Sequence, residues 1–389
     1  MTEQINKKEI AELTRELITI PSVTGTGDVR RAFKFAQDWL KEKRIDAEIV
    51  CLHGVQNLIA GVGTEKGSGP NLLWVSHMDV APAGNFFDWR HPPFCGYEEG
   101  EFLYGRGASD AKSCVASMLM ALAELKAEEQ NLQGRITLML SGVAESGNEN
   151  GVEGMLEEYA GRFDAAIVGE ATDMCIEIAQ RGLRWIEIRL RGIASHAGRP
   201  SLGLNAIGEA GKILNAFNGY VFHQRNDLFE SGAQQPSISV NKIHGGTQNN
   251  LVAEECRLIV DRRMIPGETE QSVMNEIEGI VRSVVDPRCR VEYRILGKGW
   301  DPYILDENEL IVRVLRNAYR DVLNTEPVIR GKGTCTDASR IFKKGIPVVM
   351  LGPGIPFESH ISNEKVSVER ICRMVGILVH ASEIFFSEH

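Results

Sequence analysis

Leu72-Leu73-Trp74-Val75-Ser76-His77-Met78-Asp79, with Tyr104-Gly105-Arg106-Gly107-Ala108-Ser109-Asp110-Ala111-Lys112 some thirty residues on, is the stretch that decides how the chain is read. A short apolar run bounded by polar residues predicts a buried strand. His77 stands at its end, and Asp79 two residues later is a carboxylate placed to orient a metal-ligating imidazole. The pattern recurs downstream. An apolar strand expected at 135–140 runs into Ser141-Gly142-Val143-Ala144-Glu145-Ser146-Gly147, and one at 164–168 delivers Gly169-Glu170-Ala171-Thr172. A fourth, at 347–351, leads through Gly352-Pro353-Gly354 to His360.

Between these strands the periodicity becomes helical at 8–18, 30–43 and 111–128, and shorter strands are expected at 47–52 and 57–62. Continuous apolar strands alternating with helices indicate a sheet covered on both faces. The middle of the chain differs. Ile186, Ile188 and Leu190 alternate with Trp185, Glu187, Arg189 and Arg191, the period-two mark of a half-exposed strand. A helix at 205–217, strands at 236–244 and 251–263, a helix at 270–285 and a strand at 290–296 follow, an order that is ferredoxin-like. At 389 residues the chain is too long for one ordinary core. The expected fold is therefore α/β, a helix-sandwiched sheet built from 1–181 and 296–389, with a ferredoxin-like α+β domain inserted at 182–295.

A net charge of −10 argues against nucleic acid or an anionic membrane as the main partner. No run approaches a membrane span and the N-terminal residues lack the apolar core of a signal peptide, so a cytoplasmic protein is expected. The eight cysteines contain no Cys-x-x-Cys pair and read as reduced thiols. The glycines of 61–69 do not lie between a strand and a helix in dinucleotide-binding spacing.

His77, Glu145, Glu170 and His360 all fall at or just beyond the carboxyl ends of apolar strands, and Asp110 lies where a glycine-rich loop enters a helix. In open α/β sheets that edge is the functional one. Each residue alone has an ordinary reading as a surface or capping group; together, two His and three carboxylates suit one or two divalent ions of the zinc class, with Co²⁺ or Mn²⁺ as substitutes. Asp110 is the natural bridge between two ions.

These motifs resemble the dinuclear zinc amidohydrolases that include acetylornithine deacetylase, succinyl-diaminopimelate desuccinylase, aminoacylase and glutamate carboxypeptidase. The resemblance spans nearly the whole chain and rests on 76–80, 104–112, 168–172, and His360 with Asn363-Glu364. It implies two Zn²⁺ per subunit, one held by His77, Asp110 and Glu170, the other by Asp110, Glu145 and His360, with Asp79 orienting His77. It also implies a homodimer in which His196, within Ser195-His196-Ala197-Gly198-Arg199-Pro200, reaches the other subunit's site and steadies the scissile carbonyl. Asn249 or its neighbour Asn250, Arg263, Gly333 and Thr334 resemble substrate-binding positions. Cys335 has no partner His nearby for a nucleophilic role.

One departure matters. The family usually has two adjacent glutamates after the third strand, a general base and then a metal ligand. Alignment on Gly151 makes Glu145 the ligand and puts Ala144 at the base position; the rival alignment makes Glu145 the base and leaves Ser146 as a poor ligand. For Ala144 three explanations stand: an engineered change that traps substrate, a natural one compensated by a carboxylate such as Glu149, or a protein that keeps its metals without hydrolysis. The implied activity is hydrolysis of the amide of an N-acyl amino acid by a metal-held hydroxide. A dipeptidase or carboxypeptidase, and a metal-containing binding protein without turnover, are the alternatives.

Overall fold

The structure is a computed structural model that describes residues 6–26, 29–64, 69–146, 150–158 and 162–389. The chain forms two compact units, one comprising Met1–Ile178, Leu305–Arg330 and Thr336–His389, the other Ala179–Ile304 and Gly331–Cys335.

In the first unit the central strands are buried on both faces, as their unbroken apolar sequences require. Asn71–His77 pairs in parallel with Arg135–Ser141 on one side and Ala165–Gly169 on the other, and Val348–Leu351 extends the parallel run. Every residue of Asn71–His77 is buried, Trp74 completely. The expected strands at 47–52 and 57–62 form the antiparallel flank, Ala47–Leu52 on Val55–Gly63 and the latter on Arg135–Ser141. Helices flank this sheet. Lys112–Ala127 is apolar around its whole circumference because it packs against the sheet and against Lys7–Thr19 and Val368–Glu388 as well.

Local chemistry sets the helix ends. Asn6 caps Lys7–Thr19 by accepting from the amides of Lys8 and Glu9. At the other end the buried Lys112 ammonium donates to the carbonyls of Leu17 and Ile20, 2.8 and 2.5 Å away. Burial lowers the Lys112 pKa to about 7. A small sheet of Tyr97–Glu99, Phe102–Tyr104 and Lys365–Ser367 pairs Lys365 with Tyr104, which brings the chain after His360 beside the chain before Asp110. The segment 296–389, where a strand is expected only at 347–351, also holds two long helices, Leu310–Leu323 and Val368–Glu388.

The second unit has a four-stranded antiparallel sheet in the order Ser237–Gly245, Glu255–Met264, Gly182–Arg191, Arg290–Trp300. With the helices Ala206–Asn218 and Glu270–Val284 this is the expected β-α-β-β-α-β sequence of elements. The period-two pattern works as read: Ile186, Ile188 and Leu190 point into a core with Ala210, Ile213 and Phe217 from one helix and Val273, Ile277 and Val281 from the other. The unit reaches past 182–295 because the last strand continues to Trp300 and Tyr303 and Ile304 pair with Gln180 and Ala179. The strand expected at 251–263 begins only at Glu255, since 250–252 is bound instead to the loop carrying His196.

Candidate metal centre

The four strand ends of the first unit bring His77, Glu145, Glu170 and His360 to one edge of the sheet, and the loop before Lys112–Ala127 adds Asp110. Their donor atoms form two groups, each within 4.8 Å: His77, Asp110 and Glu170, and Asp110, Glu145 and His360. Asp110 belongs to both. One of its oxygens lies 3.2 Å from His77 Nε2 and the other 3.3 Å from His360 Nε2, while His360 Nε2 also lies 3.0 Å from Glu145. Ligands bound at about 2.0–2.1 Å to one tetrahedral ion stand roughly 3.3 Å apart. The donor types and their separations thus fit a pair of zinc-class ions sharing the Asp110 carboxylate.

Hydrogen bonds tie the charges together. Burial alone would lower the His77 pKa, but bonds to Asp110 and Asp79 raise it well above the usual imidazole range. His360 is pushed up to about 10 by hydrogen bonds to Asp110 and then Glu145. Burial would raise Asp110, yet the two imidazoles hold it well below the ordinary carboxylate range. Cations placed there displace the protons that the histidines otherwise carry.

Asp79 holds the region through both of its functions. Its backbone carbonyl lies 2.9 Å from His77 Nδ1, with the carboxylate at 3.5 Å, which leaves Nε2 facing Asp110. The carboxylate itself accepts from the amides of Ala144 at 3.0 Å and Glu145 at 3.1 Å and from Thr24 Oγ1 at 2.8 Å. So Asp79 fixes the turn that presents Glu145, a role carried by backbone donors and not foreseen from side-chain patterns. Ala144 lies on that turn, half-buried. Glu149, the carboxylate considered as its substitute, lies outside the described residues.

Glu364 and Arg106 take no individual role from the sequence pattern, although both stand inside the motifs at 104–112 and 363–364. Glu364 is fully buried, bonded to Arg106 and to three amides of the 107–110 segment. Burial pushes its carboxyl up to about 7 against the opposing charge of Arg106. His360 has a left-handed backbone, φ 65°, as does Asn363, φ 62°. The Asn363 side chain secures this loop by accepting from the Arg90 amide and donating to the Asp88 carbonyl. Gly352, between the last strand and His360, cannot carry a side chain, since a Cβ would sit 2.0 Å from the Glu170 carbonyl oxygen.

The remaining candidates lie on the second unit. His196 is exposed, and its segment pairs with 250–252: the Val252 amide donates to Ser195 and the Ala197 amide to Asn250. Asn249 is therefore next to the strand of chain that holds His196. The Gly198 amide donates to His196 Nδ1 at 3.0 Å, which places the ring proton of the neutral imidazole on Nε2. Arg263 is gripped by Asp261 at 2.8 and 3.3 Å, and its Nη1 approaches Cys335 Sγ at 3.9 Å. Gly333 and Thr334 precede Cys335 on the same short segment, Thr334 exposed. Burial pushes the Cys335 thiol up to about 11, so it remains protonated. None of the eight cysteines is in a disulfide. Among the described residues no helix is long and apolar enough to cross a membrane.

Residues 73–383 match the family model described as peptidase family M20/M25/M40. A succinyl-diaminopimelate desuccinylase of Ehrlichia chaffeensis is 28% identical over 96% of this chain and 97% of that protein. An N-formyl-4-amino-5-aminomethyl-2-methylpyrimidine deformylase of Bacillus subtilis is 30% identical over 82% of this chain and 80% of its own. The crystal structure of an M20 family metallo-carboxypeptidase from Sulfolobus solfataricus superposes with a TM-score of 0.79 at 18% identity, covering 97% of this chain and 99% of that one.

Proposed function

Given that the chain belongs to the peptidase family M20/M25/M40, we propose that it is a two-metal amide hydrolase that removes the acyl group from an N-acyl amino acid. His77, Asp110 and Glu170 hold one ion, and Asp110, Glu145 and His360 the other. Zn²⁺ is the expected metal, with Co²⁺ or Mn²⁺ able to replace it. The observation that carries the reading is the Asp110 carboxylate, each oxygen facing a different imidazole at 3.2 and 3.3 Å. The names of the desuccinylase and deformylase relatives, both acyl-removing, support an N-acyl substrate.

When bound, the ions supply Lewis acidity toward a carbonyl oxygen and toward water. The rest falls to side chains. The partner subunit's His196 donates from Nε2 to the charge that develops on the carbonyl oxygen, which needs the homodimer. Arg263 takes the substrate carboxylate through donors that Asp261 leaves free. Asn249, Gly333 and Thr334 line the substrate.

Ala144 bears on rate, because no group at this position accepts a proton. Loss of a general base costs about 10²–10⁴-fold. A second reading, a metal-containing binding protein without turnover, draws on the same residue. The test is hydrolysis of a panel of N-acyl amino acids and dipeptides with added Zn²⁺, comparing this chain with its Ala144→Glu variant. Turnover by the variant on acyl amino acids, with little by the parent, supports the deacylase. Turnover confined to dipeptides replaces it with a dipeptidase, and tight ligand binding with no hydrolysis by either form favours the binding protein.

A further inference from the structure

We infer that Glu364 is a positioning residue for the bridging carboxylate, acting with Arg106 through the backbone of the 107–110 loop; the inference rests on the two-metal reading above. Glu364 Oε1 accepts three backbone N–H groups, from Gly107 at 3.1 Å, Ser109 at 2.8 Å and Asp110 at 3.0 Å. Its other oxygen accepts from Arg106 Nη1 at 2.6 Å. A loop wrapped around one oxygen through three amides has little freedom. The last of those amides belongs to Asp110, so the bond fixes the point from which its carboxylate departs.

The surroundings pack closely on the loop. Gly107 has φ 92°, and a Cβ there would meet Val80 at 2.8 Å and Lys112 at 2.9 Å. Arg106 is itself buried, donates to the Pro82 carbonyl and lies over the Trp89 ring. Glu364 also follows His360 by four residues, and its own carbonyl accepts from the Gly105 amide at 2.9 Å. One side chain thus ties the segment carrying His360 to the loop carrying Asp110, which faces it across the centre.

Stability alone does not account for this arrangement. Buried ion pairs are often replaceable by apolar side chains at no net cost. A carboxylate is what the geometry demands, because both oxygens receive donors. A carboxamide turned either way sets its NH₂ against the three amides or against Arg106.

The experiment is a titration of the metal-free full-length protein with Zn²⁺ by calorimetry, repeated for Glu364→Gln and Glu364→Asp, with circular dichroism and thermal unfolding of each metal-free form. The aspartate keeps the charge and is one methylene too short to serve both the amides and Arg106. Groups that orient metal ligands typically govern 10–100-fold of affinity. A folded Glu364→Gln variant is expected to bind Zn²⁺ about 10–100-fold more weakly, with an altered Co²⁺ absorption spectrum. Parental affinity and spectrum in that folded variant overturn the inference. Should the glutamine variant fail to fold, the aspartate variant decides by the same criterion. A parent protein that binds no Zn²⁺ refutes the two-metal reading, and the inference with it; parental binding beside an unaffected variant refutes the inference alone.

Discussion

Replacing Asp79 by Asn tests whether this buried carboxylate organises the centre as a hydrogen-bond acceptor on both sides. One oxygen receives the Ala144 amide at 3.0 Å, the other the Glu145 amide at 3.1 Å and Thr24 Oγ1 at 2.8 Å. Asparagine has nearly the same shape but a single acceptor oxygen, so in either orientation its NH₂ faces an amide that needs an acceptor. Leaving one buried donor unmet costs about 1–3 kcal/mol, and the lost bond was to a charged group, so about 3 kcal/mol is the expected loss. For a unit of this size that corresponds to a fall of roughly 6–12 °C in Tm. Because the displaced turn presents Glu145, Zn²⁺ affinity should also fall about 10–100-fold. The assay is thermal unfolding of metal-free parent and variant, followed by Zn²⁺ titration of each. Unfolding within about 1 °C of the parent, with undiminished affinity, would show that the amides find other partners and that Asp79 does not hold the turn.

Protonated His360, raised to about 10 from an ordinary 6.5, stabilises the metal-free fold. That contribution is complete below about pH 6.5 and lost as the pH climbs through about 10. Chelator-treated protein should therefore lose Tm across this window, while apparent Zn²⁺ affinity rises with pH because binding releases protons, measurable by calorimetry in buffers of different ionisation enthalpy. Gly352→Ala forces a methyl to within 2.0 Å of the Glu170 carbonyl oxygen. It should destabilise by about 1–3 kcal/mol or more in urea unfolding, and a neutral result would mean that the strand end yields. Ile277→Ala empties a fully buried position of the second unit, with an expected loss of about 2–5 kcal/mol. Since all five residues of the two candidate groups lie on the first unit, Zn²⁺ affinity at a temperature where the variant is folded should be unchanged.

The sheet and the convergence of His77, Asp110, Glu145, Glu170 and His360 at its edge were legible because burial on both faces leaves unbroken apolar runs, as in Asn71–His77, and because each run leads to a chemically distinctive residue. The inserted domain was legible for the opposite reason, a two-residue alternation along 185–191 that burial of one face imposes. The helices Leu310–Leu323 and Val368–Glu388 carry a readable signal too, with Ile311, Leu315 and Ala318 on one buried stripe. What side-chain patterns could not reveal were the contacts made by main-chain donors. Nothing in the letters at 144 and 145 says that their amides meet Asp79, or that those of 107, 109 and 110 converge on Glu364. Such bonds depend on loop paths, and loop paths follow from tertiary packing more than from local preference.

The first unit is assembled from three separated stretches of chain, the last being Thr336–His389. A ribosome that has already released the whole of Ala179–Ile304 has yet to deliver the strand Val348–Leu351, the candidate ligand His360 and the helix Val368–Glu388. The nascent protein can therefore assemble most of its second unit while the first still exposes a sheet edge and the group Asp110, Glu145 and His360 lacks one of its three members. Such a vectorial order leaves apolar surface open late in synthesis, when chaperones have most to do. It also means that the group Asp110, Glu145 and His360 is completed later in synthesis than the group His77, Asp110 and Glu170.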